Sequence, residues 1–305
     1  MTDAVELAGG FAAAAVRLAT PLLFAATGET ITERSGVINL SVEGAMLAGC
    51  LAAALGATAG GAWAGVAAAT AAGMLIAAIF AAVAIGARVD QIITGTAVTL
   101  GCVGLTGAIY RQAYGSAGVG LSLPTLPAVS LPGLSAIPVL GPGLFSQPVL
   151  TYLALALAPL AWWVLFRTRI GLALRAAGES SESARAVGVP VQAMRFGATL
   201  VGGAFAGLAG ATLVLAQVGT FAEKMTAGRG FVAIAIVVLG RWNPLGAMVA
   251  ALVFGAATAL QFLFQALGIK VPYQLFLMFP YVVTLVALAG AVGRVRPPAG
   301  LGRSS

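Results

Sequence analysis

The sequence predicts an all-α, polytopic membrane protein, a single transmembrane domain over residues 1–305. The expected helical bundle has about 8–10 spans, one broken or re-entrant segment and a cytoplasmic helix. Three observations carry this expectation. Of 305 residues, 60% are hydrophobic and 8% charged, against about half and about a quarter in a soluble domain. Mean hydropathy is +1.02. The apolar residues form runs near the ~20 residues that a spanning helix needs, not the alternations of a half-buried face.

The spans read in order as follows. The N-terminal residues, through Glu6, are acidic and lack a basic leader, so the first apolar run, Ala8 to Gly28, reads as a retained span. Arg17 can snorkel near its end and Pro21 should kink it. A polar segment, Glu29 to Gly44, follows. Its pairs Glu29/Glu33 and Asn39/Glu43 have one-turn spacing and would share helix faces. Glu29 and Glu33 are expected at the cytoplasmic surface. Asn39 and Glu43 fit either an ion-pair cluster with Arg34 or a solute path. Span two continues to Ala59, and span three, Gly60 to Gly86, stops at Arg88 and Asp90. Span four is Gln91 to Tyr110, with polar Gln91 and Thr94 at its start as further path candidates. Residues 111–147 are rich in Pro, Gly and Ser, with almost no charge. They read as an ordered external loop against the membrane, with a short helix, since a disordered linker would be charged.

Span five is Pro148 to Phe166, and span six Phe196 to Val218, whose Gly203-x-x-x-Gly207 permits close helix contact. The pattern then breaks. The apolar run Phe231 to Leu239 is too short to span alone and stops at Gly240–Pro244. Irregular backbone at membrane depth must be buried in protein or line a cavity, which makes Phe221, Met225 and Thr226 path candidates. Span eight is Leu245 to Leu267, a turn carries Lys270 and Pro272, and span nine is Tyr273 to Val292.

Between spans five and six lies the only long charged stretch, Arg167 to Arg195. Ser180 can cap a helix over Ser181–Val187, with Glu182 in its first turn and Arg185 near its end, both matching the helix dipole. Gly188 suits the position after that helix, and Pro190 opens the next. This is either a solvated loop or a docking helix. Placing the stretch in the cytoplasm puts eleven basic residues inside, with Arg34, Arg88, Arg241, Arg294, Arg296 and Arg303 joining its own five, against Arg111, Lys224, Arg229 and Lys270 outside. By the positive-inside rule the N-terminus is then outside and, provided the Phe231 run crosses, the C-terminus cytoplasmic.

Composition also excludes chemistry. The chain has no histidine, which removes imidazole catalysis and His-ligated metal. Cys50 and Cys102 lie in apolar runs without metal-ligand spacing and read as packing residues. There is no Walker phosphate loop, metal motif or serine nucleophile elbow. Few charges fall mid-span, which argues against the ion relay of a self-sufficient secondary transporter.

Three blocks resemble the bacterial ABC-transporter permeases of the nucleoside and simple-sugar uptake group. They are Gly28-Glu29…Glu33-Arg34-Ser-Gly-Val-Ile-Asn39-Leu-Ser-Val-Glu43-Gly44, then Gly171-Leu…Leu174-Arg-Ala-Ala-Gly178-Glu179…Ala184-Arg…Gly188-Val, and Thr226-Ala-Gly-Arg-Gly-Phe…Gly240-Arg-Trp-Asn-Pro-Leu-Gly246. Ribose-type and branched-chain amino-acid permeases share the general architecture without the Glu-Arg-Ser-Gly-Val-Ile-Asn form. The chain looks like the shorter of two paired permeases. The resemblance implies a subunit with no enzymatic activity or directly bound cofactor, with ATP and Mg handled by a cytoplasmic ABC ATPase. That ATPase would dock on Arg175, Gly178, Glu179, Ser180, Glu182, Arg185 and Gly188. A second permease and an extracytoplasmic substrate-binding lipoprotein are the other implied partners. Where the family commonly has Asn-Pro, this chain has Ser180-Ser181, which still caps.

Overall fold

The structure, a computed structural model, describes residues 2–115, 122–133, 135, 137, 139–266, 278, 282 and 297–302. The expected ninth span lies outside the described residues save Met278 and Val282, as do Lys270, Pro272, Arg294, Arg296 and Arg303.

Among the described residues, seven helical segments are long and apolar enough to cross a membrane. They are α1 (Thr2–Arg34), α2 (Val42–Gly60), α3 (Ala62–Ala81) with a wide turn over Ala82–Gly86, α4 (Gln91–Tyr114), α6 (Val149–Arg167), α9 (Val191–Thr212) with a wide turn over Leu213–Val218, and α11 (Pro244–Ala266). Short helices lie between them: α5 (Leu140–Leu144), α7 (Arg169–Glu179), α8 (Ser181–Ala186) and α10 (Arg229–Leu239). The protein is thus an all-α polytopic membrane protein. Ile93, Leu100 and Val249 are each at least 60% exposed, as expected of side chains that face lipid.

Helix α9 is central, packed by α1, α2 and α3. Small residues make this possible. A Cβ at Gly73 would collide with the Gly203 carbonyl and lie 2.8 Å from Gly207 Cα, and one at Gly49 would lie 2.9 Å from Gly207 Cα. Without a hydrophobic drive between helices in lipid, this close backbone approach supplies the dispersion contact. The cysteines pack here as expected: Cys50 Sγ is 3.5 Å from the Gly210 carbonyl, and Cys102 lies against Gly44.

Three element boundaries differ from expectation. Helix α1 runs through to Arg34 instead of stopping at Gly28. Gly28 is no break, because a Cβ there would meet Phe205 Cβ at 2.6 Å; it serves the contact with α9. Helix α4 continues to Tyr114, so the Pro-, Gly- and Ser-rich segment begins at Gly115. That segment carries α5 and also a short antiparallel pair, β1 (Ala128–Ser130) with β2 (Ser146–Pro148). Its backbone is tied to the bundle by Leu123 N–H to the Gly219 carbonyl (3.0 Å) and Leu126 N–H to the Leu215 carbonyl (2.8 Å). Finally, α9 begins at Val191, so Arg195 belongs to the bundle. It is buried, and its Nε donates to the Ser35 carbonyl at 3.2 Å.

Candidate functional site

After Arg34 the chain turns at Gly36 (φ +94°) and runs back between α1 and α4 without helix. Every non-helical backbone group at this depth needs a partner, and side chains supply several. Gln91 Oε1 accepts from Ile38 N–H (2.8 Å) and Glu29 Oε1 from Asn39 N–H (3.0 Å). Thr99 Oγ1 donates to the Leu40 carbonyl (3.0 Å). Asn39 Oδ1 accepts from Ser41 N–H (3.1 Å) and the Ser41 hydroxyl. Since Thr99 lies two turns along α4 from Gln91, α2 starts about 12 Å in from that end of the bundle.

Two sequence expectations are corrected here. Glu29 and Glu33 are not at the surface; they are 1% and 2% exposed, held inside the end of α1. Asn39 and Glu43 do not share a helix face, because Asn39 precedes α2 and its side chain closes a local turn. One-turn spacing in sequence has meaning only when both residues are helical.

Glu43, in the first turn of α2, meets the start of α10. Its Oε1 accepts from Thr226 Oγ1 (2.6 Å) and Gly228 N–H (2.9 Å), and its Oε2 accepts from Gly230 N–H (2.6 Å). The carboxylate therefore caps a helix that has no side-chain cap of its own, and opposes the positive end of its dipole. Only glycine fits at 230, where a Cβ would lie 2.6 Å from Glu43 Cα and N. Helix α10 ends at Leu239, and the turn after it holds Arg241 and Trp242 at positive φ (57° and 51°). Trp242 Nε1 donates to Glu33 Oε2, and Arg34 Nε donates to the Trp242 carbonyl (2.6 Å).

The broken segment is therefore a discontinuous crossing and not a re-entrant hairpin. Its helical half runs from the depth of Glu43 to the end of α1. Its irregular half, Gly219 to Gly228, comes from the opposite end of the bundle. There Gln217 Nε2 donates to the Arg17 carbonyl (2.6 Å), about 25 Å along α1 from Arg34. Glu223 pairs with Arg111 at 2.9 Å on the same side. A cleft of 350 Å³ opens beside the break, lined by Glu43, Thr99, Leu100, Thr226, Gly228 and Phe231, with exposed Lys224 on its wall.

Of the seven path candidates, Glu43 and Thr226 line this cleft. Asn39 and Gln91 hold the loop before α2, as described. Thr94 Oγ1 donates to its own helix at the Asp90 carbonyl (2.7 Å). Phe221 packs on Tyr110 with the rings tilted at 53° and their centroids 5.0 Å apart, and Met225 packs against the main core. Sequence reading missed Thr99, Leu100 and Phe231, which look like ordinary span residues until α2, α4 and α10 meet.

At the other candidate site, Thr168 Oγ1 caps α7 through Gly171 N–H (3.1 Å). Leu174 and Ala177 face inward. Arg175 Nε donates to the Leu165 carbonyl (3.0 Å), and its guanidinium lies 4.9 Å from the Phe166 ring centre. Ser180 Oγ accepts from Ser183 N–H at 3.3 Å as the cap of α8, and Gly188 (φ +84°) follows that helix. Glu179, Ser180, Glu182, Arg185 and Gly188 are exposed, and Val187 is 79% exposed. Gly178 is instead buried, pressed on the Arg34 carbonyl.

Residues 11–288 match the family described as branched-chain amino acid transport system / permease component. The chain is similar to a guanosine ABC transporter permease protein of Bacillus subtilis, 36% identical over 306 residues that cover 97% of this chain and 96% of the relative. It is also similar to a nucleoside ABC transporter permease protein of Lactococcus lactis subsp. cremoris, 34% identical over 289 residues, 92% of this chain and 91% of the relative.

Proposed function

Because this chain belongs to the branched-chain amino acid transport system / permease component family, it is a multi-pass permease subunit of an ABC transporter, and we propose that its cargo is a neutral solute of the nucleoside or simple-sugar class. One observation carries the choice of charge. Half-helix N-termini inside membranes are natural sites for anionic groups of a substrate. Here that position on α10 is filled by the protein's own Glu43 carboxylate, which takes the Gly228 and Gly230 N–H groups. A solute carboxylate or phosphate would have to displace it. An uncharged ribosyl or hexosyl solute needs only hydroxyl partners such as Thr226 and Thr99, beside apolar Leu100 and Phe231. The relatives named for guanosine and nucleosides support this class.

The cleft forms the chain's share of the translocation path. The opposing wall comes from a second, non-identical permease, and an external lipoprotein delivers the solute. A cytoplasmic ATPase docks on the exposed face of Glu179, Ser180, Glu182, Arg185 and Gly188, with Val187 inserting between its side chains. Arg175 and Gly178 hold this element from beneath. The chain itself hydrolyses nothing; ATP and Mg belong to the ATPase. The N-terminus is external and the C-terminus cytoplasmic. Two features support this threading: the discontinuous span crosses the bundle, and Arg34, Arg195 and Arg241 gather at the α7–α8 end.

Uptake by the full transporter in liposomes tests the cargo. Labelled guanosine should accumulate with ATP, and excess leucine should leave that uptake unchanged. Competition by leucine, or uptake by this chain alone on an ion gradient, would overturn the reading. Deleting Glu179 to Val187 should abolish co-purification of the ATPase while membrane insertion persists.

A further inference from the structure

The segment Pro297–Gly302 is tied to two separate elements. Gly300 N–H donates to the Gly178 carbonyl at 2.9 Å, and Ala299 N–H to Glu179 Oε2 at 3.1 Å. Gly302 N–H donates to the Gly36 carbonyl at 3.0 Å. Pro298 and Gly300 are buried, and Leu301 packs against the main core. Three glycines meet at this junction. A Cβ at Gly300 would lie 2.7 Å from the Gly178 carbonyl, and one at Gly36 would lie 3.2 Å from Gly178 Cα and 3.4 Å from the Gly300 carbonyl. On one side is the end of α7, which leads into α8. On the other is the loop of Gly36 to Ser41, which leads to Glu43 and the cleft.

We propose that residues 297–302 are a positioning clasp that makes the α7–α8 element and the loop before α2 move as one body, so that a push on α8 reaches Glu43. This rests on the reading of α7–α8 as the ATPase docking element. The segment suits the task because its ties to these elements are made by its main chain, at contact distances that leave little slack. Without the clasp, Gly178 still touches the Arg34 carbonyl and Gly36, so docking and folding persist while the transmitted displacement shrinks.

The test uses the complete transporter with this chain ended after Arg296, and separately with Gly300→Val. Both variants should elute from size exclusion like the parent and keep the ATPase bound. Uptake per ATP hydrolysed should fall roughly 5-fold or more, the scale of a typical coupling between sites. Amide exchange of residues 36–41 should rise in both. Unchanged stoichiometry with unchanged exchange overturns the clasp, and so does a parallel loss of uptake and ATPase activity. If the parent chain binds no ATPase, it is the docking reading that fails, and the exchange measurement still decides the mechanical link.

Discussion

The contact between α3 and α9 and the junction between α2 and α10 solve the same problem in opposite ways. Both bring two backbones together inside the bundle. At α3–α9 the chain is helical, every backbone polar group is satisfied within its own helix, and Gly73, Gly203 and Gly207 let the main chains touch. At α2–α10 the helix is broken, so open N–H groups face membrane depth, and a charged side chain must satisfy them. Glu43 does so with both carboxylate oxygens. Small residues suffice where hydrogen bonding is already complete; polar ones are needed where it is not. The second arrangement leaves a cleft beside it, which the first, closed by contact, does not.

Substitutions break the comparison in a definite order. Gly73→Leu should have the largest effect, because the new side chain would occupy the position of the Gly203 carbonyl; no monodisperse peak should survive in detergent size exclusion. Glu43→Ala comes next. Two N–H groups, one buried and one part-buried, lose their acceptor, which costs roughly 2–4 kcal/mol, and Glu43→Gln, which retains one good acceptor, should cost about half of that. Thermal unfolding in detergent reads both, and equal losses for Gln and Ala would contradict the cap. Trp242→Phe removes the donor to Glu33 at the far end of α10 and should cost about 1–2 kcal/mol in the same assay. Ser180→Ala should cost about 1 kcal/mol, confined to α8 and seen as faster amide exchange there. Arg111→Gln should change stability by less than about 1 kcal/mol, because its pair with Glu223 is largely exposed.

Much of this was legible beforehand. Among the described residues the apolar runs located the spans, and the shortness of Phe231–Leu239 marked the break. Ser180 and Gly188 bounded α8 to within a residue, because capping chemistry is local. The Glu29–Glu43 segment was misread in detail. The Glu29/Glu33 spacing holds within α1, but the Asn39/Glu43 spacing assumed a helix where the chain, having turned at Gly36, runs back alongside α1. No nearest-neighbour pattern reports that Glu29 accepts from Asn39, or that Glu33 meets Trp242.

The sequence by itself therefore determined the class of protein, the placement of most spans, the site of the broken helix and the charged element between spans five and six. Each depends on hydrophobicity or capping within a few neighbouring residues. Only the tertiary structure decided which carboxylate caps α10, which residues line the cleft, and that Gly178 meets Gly36 and Gly300. Those pairings join residues from tens to nearly two hundred positions apart, as with Glu43 and Thr226. They are set by which backbones are left unsatisfied, and which side chains stand opposite, once the helices have packed.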